Sequence, residues 1–158
     1  MYTYPELGFE IKWILFIFAT SIKVKEMDNK KRTYILLTGS VVWAIIIFIF
    51  CTMPPGDIPR IRIPHMDKIV HFGFFFIQSV WLSLLFSFQT KSRYVRIILF
   101  STLLAFVYGG LIEILQDRFF NRTGDVYDLI ADLSGGFTGA ITYPAILRLY
   151  DMIFKRNR

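Results

Sequence analysis

The 158-residue chain is 54% apolar and 18% aromatic, and only 19% of it is charged, below the roughly one quarter usual in soluble domains. The length suits one domain, the composition excludes disorder and collagen, and a lone cysteine, Cys51, excludes an internal disulfide scaffold. A net charge of +6 could suit nucleic acid, but no helix-turn-helix, zinc-finger or RNA-binding signature accompanies it, so its placement along the chain decides its meaning. These features point to an all-α, polytopic membrane protein.

In chain order, residues 1–26 come first and are the hardest to place. Trp13–Ala19 is apolar all round, yet the run stops at Val24 after about half a bilayer. Glu6 and Glu10 stand where a signal peptide carries basic residues, and no small-residue cleavage site follows. Two readings fit: an interfacial or re-entrant helix, or an upstream start with Met27 as the true one.

A spanning helix needs about 20 mostly apolar residues. Tyr34–Met53 meets this without a charge; Ile69–Phe88 is interrupted by His71 and Gln78; Ile97–Leu115 carries Glu113 near its end. Leu129–Leu147 is the weakest, with Asp132, three glycines and Pro144. These spans predict a four-helix transmembrane domain over residues 34–150, followed by a basic tail at 151–158. Twelve lysines and arginines flank one side of the spans (Lys30, Lys31, Arg93 and Arg148 among them) against five on the other (Arg60, Arg62, Lys68, Arg118 and Arg122). This bias predicts that both termini of the domain lie in the cytoplasm, and it accounts for the basic charge without nucleic acid.

Ionisable groups inside a span cost about 2.5–3.5 kcal/mol each near its centre, and here they are not scattered. Asp67, Lys68 and His71 open the second span, Glu113 and Gln116 close the third, and Asp125, Asp128 and Asp132 open the fourth, with Arg118 and Arg122 between. In the four-span topology all of these helix ends face outward. Asp67 and His71 share a helix face, as do Gly109, Glu113 and Gln116, and as do Asp125, Asp128, Asp132, Gly135 and Gly139. Glycines four apart permit close helix approach in a bilayer, so the acidic stripe of the fourth helix is expected to face its neighbours over a small polar site. Capping explains Asp67, Asp125 and Asp128 equally well. Glu113, near a helix C-terminus, and Asp132, too deep to cap, each need a partner, with Lys68, His71, Arg118 and Arg122 available. No phosphate loop, nucleophile elbow or zinc-binding His-Glu-x-x-His sequence occurs, and no cofactor or metal is read.

Three of these segments, DKIVHFGFFF (Asp67–Phe76), YGGLIEILQ (Tyr108–Gln116) and NRTGDVYDLIADLSGGFTGA (Asn121–Ala140), together resemble the VanZ-like membrane family, named for a teicoplanin-resistance protein. The resemblance runs from about Tyr34 to Tyr150. One departure is Asp132, where the family pattern often carries asparagine. The resemblance implies a bacterial inner-membrane protein of the cell envelope and a link to glycopeptide susceptibility.

Three functions are compatible with this sequence. In the first, an enzyme acts on an anionic lipid or lipid-linked envelope precursor: His71, oriented by Asp67, is the acid or base. Lys68 and Arg122 hold the anion, Gln116 and Asp132 line the site, and Glu113, Asp125 and Asp128 supply a second acid/base group or hold a hard cation through oxygen. In the second, the same site binds or carries a lipid or drug headgroup. In the third, the charges only stabilise an assembly factor. The oligomeric state is not legible.

Overall fold

The computed structural model describes residues 27–53, 64–90, 93–120 and 124–154. Residues 1–26, and with them both readings of the Trp13–Ala19 segment, lie outside the described residues, as does Arg122. Every regular element among the described residues is a helix, and there are four: α1 (Asn29–Thr52), α2 (Met66–Gln89), α3 (Tyr94–Phe119) and α4 (Val126–Phe154). Each starts three to five residues before its apolar span. α4 runs on to Phe154, so the start of the basic tail is helical.

Local chemistry sets the boundaries. α1 stops at Thr52 with Met53 extended at φ −62°, ψ 136°, the backbone that a following proline, here Pro54, enforces. α2 opens behind Pro64 on His65, whose left-handed φ of 58° is the one positive value at a non-glycine among the described residues. Asp67 is therefore a first-turn acid of α2 and not its cap. At α4 the capping expectation holds: Asp125 Oδ1 accepts from the Tyr127 amide at 2.8 Å.

α1, α2 and α3 are each long and apolar enough to cross a membrane. α4, the longest at 29 residues, is outside that set because its glycines, hydroxyl side chains, Pro144 and Asp132 dilute its hydropathy. The helices alternate in direction. At the basic end the Arg32 guanidinium lies 4.4 Å over the Phe88 ring, joining the start of α1 to the end of α2. There too the Tyr94 hydroxyl donates to the Ile141 carbonyl at 3.0 Å, joining the start of α3 to the second half of α4. At the other end, Phe48 of α1 meets Phe120 just past α3 edge-to-face.

Apolar side chains cover the outside: Val41, Ile45, Leu99, Leu103, Ile114 and Phe137 are all exposed. Buried between the helices are polar groups, among them Ser40, Gln78, Ser83, Ser101, Glu113 and Asp132. A soluble bundle has the opposite distribution; hydrocarbon around the bundle makes this one stable. α2 and α4 make the most extensive contact. A Cβ at Gly135 would fall 3.0 Å from Phe72 Cα, and one at Gly139 would fall 3.1 Å from Phe76 Cα, each pressing into the carbonyl of the same residue. The two glycines thus let the α2 and α4 backbones touch. Gln78 ties α2 to α1, its Nε2 donating to Ser40 Oγ at 2.9 Å.

Candidate functional site

The polar side chains singled out in the sequence converge at the end of the bundle opposite the basic residues, on two levels one helical turn apart. At the outer level Lys68 Nζ donates to three carboxylates: Asp67 Oδ2 at 2.9 Å, Asp125 Oδ2 at 2.8 Å and Asp128 Oδ1 at 3.0 Å. Its hydrogen bond and charge hold the Asp125 carboxyl below its ordinary value. Lys68 is thus spoken for by acids of its own chain.

One turn deeper, His71 of α2 meets Asp132 of α4, Nδ1 to Oδ1 at 2.9 Å. His71 is 4% exposed and Asp132 is fully buried. An Nδ1–H that donates to the carboxylate fixes the tautomer and leaves Nε2 as the basic nitrogen, 3.9 Å from Cys51 Sγ of α1. Asp67, expected to orient the imidazole from one turn away, turns to Lys68 instead. Sharing a helix face made the Asp67–His71 contact possible, but Asp67 sits at the open end of the helix, with a side chain 48% exposed, beside a stronger partner.

Glu113 of α3 is buried alongside. Its Oε2 accepts from the Asp125 backbone amide at 2.7 Å, a partner that no count of charged side chains could name. Gln116, one turn on, donates from Nε2 to the Cys51 carbonyl at 2.6 Å. Cys51, outside the residues expected at the site, therefore touches it through both its sulfur and its carbonyl; its apolar sequence neighbourhood carries no signal for this. Gly109 makes room for Asp132, since a Cβ there would fall 2.5 Å from Asp132 Oδ2. Arg118 is exposed, at the last turn of α3.

Of the expected site residues, the structure gathers Asp67, Lys68, His71, Glu113, Gln116, Asp125, Asp128 and Asp132. Two sets of three potential ligand groups result, each with one ligand atom per residue within 4.8 Å of the others: Asp67, Asp125 and Asp128 outside, and His71, Glu113 and Asp132 inside. Chemically, the cluster can hold a proton on a buried imidazole–carboxylate pair and can receive positively charged or hydrogen-donating groups.

Apolar helices outside and an acid-rich polar cluster buried at one end define a polytopic membrane protein. Residues 9–148 match the VanZ/LLP1 family, and the chain belongs to that family. The match begins ahead of the motif-bearing stretch and takes in α1, α2, α3 and most of α4. No curated protein and no solved structure matches the chain.

Proposed function

We propose that this protein works in the cell envelope, in the bacterial cytoplasmic membrane with the basic helix ends inside. There its polar cluster engages the headgroup of a membrane lipid or lipid-linked envelope precursor. An effect on glycopeptide susceptibility would follow from altering that lipid or holding it. The observation that carries this reading is the buried His71–Asp132 pair, one turn beneath Lys68 at the polar end of the bundle. A tautomer fixed by a carboxylate is what a general base requires, and Nε2 is the nitrogen that takes the proton. Asp132 has the positioning role first assigned to Asp67. Lys68 can help hold an anionic headgroup only by releasing one of its three carboxylates, and Arg122 is a second candidate for that charge.

The deep burial of His71 favours a second reading in which the headgroup is bound and not transformed. One experiment separates the two: incubate the purified protein with an envelope lipid extract and compare products by mass spectrometry with His71→Ala. A product formed by wild type alone establishes catalysis. An anionic lipid that co-purifies with wild type, with no product, establishes binding. If neither a product nor a bound lipid is seen, the proposal falls.

A further inference from the structure

The two levels of the cluster have similar acids but different balances. Outside, the ammonium of Lys68 lies within hydrogen-bond distance of all three carboxylates. Inside, Glu113 and Asp132 share one imidazole, and one oxygen of each, Glu113 Oε1 and Asp132 Oδ2, is buried without a hydrogen-bond partner among the described residues. Glu113 is 8% exposed and Asp132 is fully buried, so water does not satisfy these atoms from the surface. Buried carboxylate oxygens left this way are costly, and a cation bound between the two acids and the imidazole would satisfy both at once. α2 brings His71, α3 brings Glu113 and α4 brings Asp132, with one ligand atom of each within 4.8 Å of the other two.

We propose that His71, Glu113 and Asp132 bind one divalent first-row transition-metal ion. One imidazole nitrogen and two carboxylate oxygens form a mixed donor set suited to Zn(II), Mn(II) or Fe(II) more than to Ca(II) or Mg(II), which prefer all-oxygen sites. Two carboxylates also neutralise a divalent ion, which suits a low-dielectric interior. The 2.9 Å separation of His71 Nδ1 and Asp132 Oδ1 serves two states. With a proton between them it is a hydrogen bond; with the proton displaced it matches the bite of two ligands each about 2.1 Å from one ion. Three protein ligands leave further coordination positions open, and these would give an anionic headgroup the positive partner that Lys68, engaged by its own acids, does not offer. Lys68 fills the outer triad, so only the inner one takes the ion.

The inference uses the side chains of the proposed function but not its substrate, so metal binding is measured without envelope lipid, and either idea can fail alone. Full-length protein in detergent, stripped with chelator, would be titrated with zinc chloride by calorimetry. One ion per chain is expected, with affinity at least tenfold weaker in Glu113→Gln and Asp132→Asn and unchanged in Asp67→Asn, an outer-triad variant. Equal binding in Glu113→Gln, loss in Asp67→Asn, or no saturable binding would overturn it. If the inner variants do not fold, the cobalt(II) spectrum of wild type decides. Ligand-field bands that show imidazole nitrogen ligation without thiolate charge transfer support the inner triad, because the outer one has only oxygen donors; an all-oxygen spectrum or a thiolate band, which would place the ion on Cys51, refutes it.

Discussion

The two ends of the bundle are held together differently. Toward the basic end the core is packed and mostly apolar: Leu36, Val80, Trp81, Leu84 and Ile97 are buried, and Trp81 lies against Gly39 so closely that a Cβ there would be 2.9 Å from the indole. At the other end the space between the helices is taken by polar groups on two levels, Lys68 with Asp128 outside and His71, Glu113 and Asp132 inside. In lipid the hydrophobic effect does not drive helices together, and packing carries association. Buried ion pairs add little net stability once desolvation is counted. The apolar end therefore supplies packing, while the ion pairs of the polar end add little net stability.

The largest effect is expected where packing does most. Trp81→Ala should cost about 3–5 kcal/mol, the range for large-to-small changes at buried aromatics, as measured by thermal unfolding in detergent, and should do so equally across pH. Next comes Lys68→Ala, which leaves three carboxylates facing one another and should lower the melting temperature at pH 7 by a few degrees. Here pH separates the two ends. Because the Lys68 hydrogen bond holds Asp125 below its ordinary value of 3.8, wild type has this contribution in full above that value and loses it as pH falls through the lowered one. In Lys68→Ala, acidification neutralises the opposed carboxylates, so the melting curves of variant and wild type should converge toward low pH.

The smallest effect tests a polar contact inside the apolar end. Ser83 Oγ donates to Ser101 Oγ at 2.9 Å, joining α2 to α3. Ser83→Ala should cost about 0.5–1.5 kcal/mol, while the double variant with Ser101→Ala should lie nearer wild type, because no buried hydroxyl is then left unpaired. A double-variant cycle on the same unfolding assay measures the coupling.

The sequence makes the helices legible because twenty-residue apolar runs have few alternatives, and the cluster legible because charges in such runs are costly enough to be informative. It does not determine which acid meets which base. That depends on the rotation and axial offset of helices some sixty residues apart: Lys68 finds Asp125, and His71 finds Asp132 rather than Asp67. The partner of Glu113 is a main-chain amide, and Cys51 joins through its carbonyl; neither interaction has a side-chain signature. The spacing of Gly135 and Gly139 foretells a close helix approach, but which helix they admit, α2, is visible only in three dimensions.

Contact of the α2 and α4 backbones at Gly135 and Gly139 has a mechanical consequence. Side chains can change rotamer to let one helix slide past another, but a main-chain carbonyl seated against a glycine has no rotamer to change. α2 and α4 must therefore move as one body and carry His71 and Asp132 with them at fixed separation. α1 and α3 meet at the site through a side chain instead, Gln116 Nε2 on the Cys51 carbonyl, a contact that a change of rotamer releases.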